Sequence, residues 1–234
     1  HTLISHVIKT AKKNSKNITV VVGHQKDLLK EHIASIDSNI QTADQDDQLG
    51  TAHAVKTAAH LIKEDERVLV LYGDVPLISH KTIEALIKSG QECTLLAMKL
   101  ADPTGYGRIV TNEQNLALRI IEQKDASEDE RKIQDVFTGI LLIDGGLLWS
   151  ALDEINNQNA AKEYYLTDLV EILSTKGVKI NCIQADPTEV LGANNKYELH
   201  ELESILRKMS AEKLLEQGIT LLDATRVDVR GEVE

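Results

Sequence analysis

Residues 68–79 read Val-Leu-Val-Leu-Tyr-Gly-Asp-Val-Pro-Leu-Ile-Ser. The uninterrupted apolar run at 68–71 is the pattern of a strand buried on both faces. Gly73 and Asp74 close it, Pro76 prevents its continuation, and Ser79 is a residue type that caps a following helix. A carboxylate at the carboxyl end of a central strand stands where open α/β sheets bind ligands. Asp74 in that place can hold a divalent cation against phosphate oxygens. A solvated turn aspartate is the rival reading, and this stretch alone does not choose between them.

Outward from 68–79, strand and helix patterns alternate. Residues 18–23 are a β-branched run ending in Gly, and 26–36 follow with helical spacing of Leu28, Leu29, Ile33 and Ile36. Residues 51–62 are Ala-rich and helical, with Thr51 as a suitable N-cap. Residues 81–88 read as helix and 92–98 as strand. Residues 108–111 and 116–121 flank Asn112 and Asn115 as an antiparallel hairpin. An apolar strand at 137–143 precedes a helix through Trp149 and Leu152, then a helix at 166–174 and a strand at 178–183. Such alternation predicts an α/β fold with a mixed, mostly parallel sheet, the hairpin and the segment after Val136 adding antiparallel strands. Residues 196–217 are highly charged and helical, with an apolar stripe that includes Leu199, Leu202, Leu206 and Met209. Gly218 stops that helix, and 219–223 read as a strand opening a further domain.

Composition excludes several function classes. With 234 residues the chain can bury a two-sided core, and aromatics at 3% leave that core to Leu, Ile, Val and Ala. So few aromatics argue against base-stacking platforms, and a net charge of −11 argues against a polyanion-binding surface. No nucleic-acid partner is expected, and phosphate chemistry requires a local site with a metal. Cys93 and Cys182 lie inside strand patterns without metal-ligand spacing and fit a reducing, cytoplasmic compartment. No stretch approaches bilayer length and no signal peptide is present, so no membrane association is expected. The chain opens His1-Thr2-Leu3 without an initiator Met, as a fragment or processed chain would.

Several short motifs carry chemistry. In residues 45–54, Gln45 can pair with both a donor and an acceptor on a base edge, and Gly50 permits close backbone approach. Thr51 opens a helix whose free N–H groups can meet polar ligand atoms. An ordinary capped loop explains the same spacing equally simply, and His53 reads as structural. In residues 102–109, Gly105 and Gly107 around Tyr106 suggest tight backbone against a ligand, or simply a strong turn. Glu122 can accept from sugar hydroxyls, and Lys124 can pair with a phosphate or with Glu122. Tyr164 and Tyr165 precede a helix that Thr167 can cap. Asn194 offers a neutral oxygen of the kind Mg²⁺ accepts.

In order, QLGTAHA (48–54), LYGDVPLI (71–78), DPTGYGRI (102–109), IIEQKDA (120–126), EYYLTD (163–168) and GANN (192–195) are specific as a set. On them the chain resembles the bacterial bifunctional N-acetylglucosamine-1-phosphate uridyltransferase/glucosamine-1-phosphate acetyltransferase family over nearly its whole length. The resemblance implies a Rossmann-like nucleotidyltransferase domain at 1–195, a linker helix at 196–217, and at 218–234 the first strand of a left-handed β-helix. It implies that Gln45, Gly50 and Thr51 contact uracil and ribose, and that Tyr72, Gly73 and Asp74 line ribose and phosphates. It assigns Gly107, Glu122, Tyr165 and Thr167 to the N-acetylglucosamine moiety, and Asp74 and Asn194 to Mg²⁺ and catalysis. The implied reaction joins UTP and N-acetylglucosamine 1-phosphate to give UDP-N-acetylglucosamine and pyrophosphate, for peptidoglycan and lipopolysaccharide precursors. The attacking phosphate oxygen needs no general base, so positioning and charge neutralisation suffice.

Three departures bear on that expectation. The family opens with a Gly-rich loop and two basic residues that hold the triphosphate, and here only His1-Thr2-Leu3 corresponds. The passage from Leu3 to Ile4-Ser5-His6 is shorter than in the family. Phe137 stands where the family has Asn. The chain alone is therefore expected to be inactive or crippled, to bind Mg²⁺–UDP-N-acetylglucosamine weakly, and not to form the homotrimer of the full-length enzyme. Another sugar-1-phosphate nucleotidyltransferase, or a non-catalytic scaffold of the same fold, is the alternative.

Overall fold

The protein is described from a computed structural model, for residues 2–229. Its elements run α1 (Leu3–Lys12), β1 (Thr19–Val22), α2 (Lys26–Ile36), β2 (Gln41–Asp44), α3 (Thr51–Thr57), β3 (Arg67–Val70), α4 (His80–Lys88) and β4 (Cys93–Lys99). There follow β5 (Arg108–Thr111), β6 (Ala117–Ile121), β7 (Asp135–Asp144), α5 (Gly145–Leu152), α6 (Asp168–Thr175), β8 (Ile180–Gln184) and α7 (Lys196–Glu216).

Six strands form one sheet around β4 and the long β7. One edge of β7 pairs antiparallel with β4, and its other edge takes β5 near Val136 and β3 from Leu141 to Asp144. β6 extends β5 as a hairpin, and β8 runs parallel to β4. A separate parallel pair joins β1 and β2. The sheet is mixed, but most of its pairings are antiparallel, which corrects the mostly parallel expectation. β7 lies between β3 and β4 and runs antiparallel to both, and β5–β6 is a hairpin. β3 is not central either, since β7 is its one bonded neighbour among the described residues.

β4 shows how period-two alternation fills two cores. Cys93, Leu95 and Ala97 join the cluster under α3, α5 and α6, whereas Leu96 and Met98 join Ile83 and Leu86 of α4. Thr94, buried between them, is satisfied by the Ser89 hydroxyl at 2.9 Å. A third, small cluster of Ile8, Val22 and Ile33 anchors α1 and α2 beside β1. At 25 cal/mol per Å² or so, these clusters are the main favourable term in folding.

Boundaries follow local chemistry. Ser79 caps α4 by accepting the Thr82 N–H at 3.1 Å. Thr51 is not the cap expected of it: Gly50 takes that place at φ 122°, and the Thr51 hydroxyl is used elsewhere. α3 ends at Thr57, and 59–61 tighten into a 3₁₀ turn. Gly218, at φ 84°, ends α7 by returning its N–H to Leu215 while Ile219 returns its own to Leu214. The strand expected at 219–223 does not form: no described strand lies beside it, and Leu222 is fully exposed. The rest of that expected segment, 230–234, and the His1 end of the expected N-terminal remnant lie outside the described residues. α1 and β2 had no counterpart in the sequence reading. β2 offers one buried residue, Ala43, in a polar run of four.

Candidate functional site

The loops at one end of the large sheet gather most of the singled-out residues. After β3 the chain turns tightly, the Val75 N–H returning to the Tyr72 carbonyl at 3.2 Å. That turn leaves Asp74 half-buried, and its carbonyl accepts the Ala193 N–H at 3.3 Å. A Cβ on Gly192 would lie 3.4 Å from Asp74 Oδ2. The segment 192–194 is thus laid against Asp74 from far along the chain. Asn195 caps α7 by accepting from the N–H groups of Tyr197 and Glu198. Glu198 reaches back, its carboxylate accepting the Asn194 N–H at 2.6 Å and the Asn195 amide at 2.8 Å. This reciprocal cap holds the exposed Asn194.

Electrostatics tie Tyr72 and Tyr106 to the same place. Burial pushes the Tyr72 phenol up to about 12, and the charges of Glu122 and Asp74 add to that, while a hydrogen bond with Thr51 opposes it. Its ring lies against Gly139, where an added Cβ would come within 2.6 Å of Tyr72 Cε2; Gly139 sits at φ 88°. Burial also raises Tyr106, reinforced by the charges of Glu198 and Asp74. The Asp74 carboxylate itself carries no side-chain hydrogen bond or ion pair among the described residues.

The opposite side is stitched by main chain. Tyr164 donates its N–H to Leu49 at 2.8 Å and accepts that of Ala52 at 2.9 Å. The Thr51 hydroxyl accepts the Leu166 N–H at 2.9 Å. A Cβ on Gly50 would lie 2.5 Å from the Tyr164 carbonyl oxygen, which explains glycine there. The Ala52 N–H, expected to be free for a ligand, is therefore occupied. Gln45 is partly committed as well, its amide nitrogen donating to the Gly50 carbonyl at 3.1 Å and lying 3.1 Å from His53 Nδ1. His53 thus has a structural partner that the sequence did not reveal.

Glu122 and Thr167 also meet. Thr167 sits at the α6 N-cap but makes no capping bond; its hydroxyl donates to Glu122 Oε1 at 3.0 Å instead. Burial raises the Glu122 carboxyl, an effect the Thr167 bond opposes. Gly107 lies beside it, an added Cβ falling 3.6 Å from Glu122 Oε1. Tyr165 is pushed up to about 12 by burial, then by Asp125 and Glu122. Asp168 is raised to about 6 by burial and by the charges of Glu122, Glu171 and Asp125. Lys124 makes no ion pair among the described residues. Phe137 packs in the apolar core, its N–H donating to the Gly107 carbonyl at 2.9 Å, and offers no amide to a ligand.

Asp74 and Asn194 suit a hard cation: both are oxygen donors, and among the described residues no protein cation engages the carboxylate. No group of three or more His, Cys, Asp or Glu side chains able to hold a metal occurs among the described residues. An ion here would complete its shell with phosphate oxygens and water. Sequence reading missed Glu198, although Asn195-x-x-Glu198 is a legible capping box. It also missed the Thr51 bond to Leu166, which joins residues too far apart in the chain for any local signal.

Comparisons with known proteins give the chain's family and fold. The chain is 43% identical over 235 residues to the Bifunctional protein GlmU of Idiomarina loihiensis, covering 99% of this chain and 51% of the relative. It is 44% identical over 237 residues to the Bifunctional protein GlmU of Cupriavidus necator, with 99% and 51% covered. The chain thus spans about half the length of the curated relatives it matches. A crystal structure of UDP-glucose pyrophosphorylase complexed with UDP-glucose superposes with a TM-score of 0.61 at 18% identity, covering 78% of each chain. That likeness is one of fold. The Nucleotidyl transferase family matches residues 1–175, which take in the Asp74 turn, the α3 entry and the Glu122–Thr167 pair, and the chain belongs to that family.

Proposed function

We propose that this chain carries the uridylyl-transfer site of an enzyme that joins UTP and N-acetylglucosamine 1-phosphate, releasing pyrophosphate and UDP-N-acetylglucosamine. The observation that carries the reading is the bond between the Asp74 carbonyl and Ala193, which lays 192–194 beside a carboxylate without a cationic partner among the described residues. Identity of 43–44% to proteins named GlmU over 99% of the chain supports it.

In this reading Asp74 and Asn194 hold Mg²⁺, which neutralises phosphate oxygens when bound. Gln45, Gly50 and Thr51 frame the base and ribose. The Gln45 amide nitrogen is held by Gly50, so its Oε1 is the group that faces a uracil N–H. Tyr72 and Gly73 border the ribose and phosphates. Gly107, Glu122, Tyr165 and Thr167 take the sugar, with Glu122 accepting from hydroxyls. In-line attack by the sugar phosphate on the α-phosphorus is then a matter of position and charge. None of the residues assigned to the phosphates is basic, so the chain alone binds Mg²⁺–UDP-N-acetylglucosamine weakly. Calorimetry returning a Kd below about 1 µM would overturn that statement. A cytoplasmic setting fits two free cysteines, and no described helix is long and apolar enough to cross a membrane.

Phe137 favours one second reading, a different acceptor sugar, because the position supplies an apolar wall and no amide. Initial rates of pyrophosphate release with UTP or TTP, each against N-acetylglucosamine 1-phosphate and glucose 1-phosphate, decide between them. A preference for TTP, or for glucose 1-phosphate, defeats the first reading. No turnover with any pair, in a longer chain of the same protein, leaves a scaffold.

A further inference from the structure

Arg108 is the largest fully buried side chain among the described residues, with 1% of its surface exposed. Burying a guanidinium is costly unless its donors are satisfied, and a carboxylate is the usual partner. Arg108 forms no ion pair among the described residues. Its acceptors are neutral: Nη1 donates to the Tyr106 carbonyl, and Nη2 to Gln123 Oε1 at 2.5 Å and to the Arg131 carbonyl at 3.5 Å. Nε has no partner. The planar fork therefore gathers three segments: the 103–106 turn, the residue after Glu122, and the 3₁₀ turn before β7. Gln123 Oε1 also accepts the Gly105 N–H at 3.4 Å, closing the frame. Gly107 and Glu122, adjacent in sequence to Tyr106 and Gln123, are what this frame surrounds. The Arg108 charge also opposes the effect of burial on Glu122.

We propose that Arg108 is a positioning residue for the sugar-binding side of the site, fixing Gly107 and Glu122 through Tyr106, Gln123 and Arg131 without touching ligand. The proposal rests on the sugar assignment given above for its consequence, though not for its geometry. A lysine keeps the charge but loses the planar fork, and a methionine loses both.

The geometry is tested on the chain without ligand by amide hydrogen exchange. Arg108→Lys is expected to speed exchange by about ten-fold within 104–107 and 123–126 and to leave β4 and α4 unchanged. Uniform acceleration, or none in those segments, overturns the proposal. The consequence is tested by ligand-observed NMR titration with Mg²⁺–UDP and Mg²⁺–UDP-N-acetylglucosamine. Arg108→Met is expected to weaken the sugar nucleotide by about ten-fold and UDP by less than about two-fold, with Arg108→Lys in between. Equal losses for both ligands, or none, overturn the positioning role. Should the unsubstituted chain bind the two ligands equally, the sugar assignment fails, and the exchange experiment still judges the frame. If Arg108→Met does not fold, Arg108→Lys carries both tests.

Discussion

The two halves of the candidate site are built on opposite principles. Around Gly50, Thr51, Tyr164 and Leu166, donors and acceptors are spent on one another, so this wall is hydrogen-bonded before any ligand arrives. Around Asp74 and Asn194, the Ala193 N–H and the Glu198 carboxylate fix the loops, while the Asp74 carboxylate faces no protein cation among the described residues. The first half is a template. The second is a charge left uncompensated, which suits a cation arriving with phosphate oxygens. A site can therefore be ordered in its shape and incomplete in its charge.

The sharpest way to break this contrast is Asp74→Asn. In the full-length enzyme, uridylyl transfer is expected to fall by roughly 10³-fold with circular dichroism unchanged, because charge is lost and shape is not. Steady-state rates with UTP and the sugar phosphate check it, and a fall below ten-fold denies the carboxylate its role. On the template side the loss is in stability. Gly50→Ala is expected to cost about 3 kcal/mol in urea unfolding, since φ 122° and the Tyr164 backbone at 2.5 Å both exclude a methyl group. Thr167→Val removes the hydroxyl that donates to Glu122. A loss of about 1.5 kcal/mol is expected, read as weaker binding of the sugar phosphate at unchanged UTP affinity.

Asp168 gives the smallest effect and a pH signature. Its carboxyl is raised from 3.8 to about 6, so the folded state binds the proton more tightly than the unfolded state. Stability from this group is therefore present at low pH and lost as pH rises through that window. Asp168→Asn is expected to stabilise the chain by about 1 kcal/mol at pH 7, allowing for screening at a half-exposed site. The gain should vanish below pH 3.8. Thermal melts across pH check the sign, and a gain that grows toward low pH contradicts it.

Much of this was legible in advance. The hairpin around Asn112, the strand of β4 and the helix of α4 have strong local signals, and all three stand where periodicity and caps placed them. Strand direction was not legible. β7 reads as an apolar run whichever way it points, and only its partners show that it opposes β3, β4 and β5. The expected tail strand failed for a related reason, since pairing rather than propensity makes a strand. In the site, residue types were readable but commitments were not. Gln45 looked free, yet its amide is held by Gly50; Thr51 looked like a cap, yet it binds Leu166.

By itself the sequence determined the alternation of strands and helices, the punctuated turns at 73–76 and 102–107, and the chemical types the site could contain. Those are local matters of period, backbone freedom and side-chain chemistry. Only the tertiary structure decided that Asp74 meets 192–194, that Thr167 meets Glu122, and that the buried Arg108 meets Gln123 and Arg131. Each joins segments well apart in the chain, and no local pattern encodes which surfaces the folded core will press together.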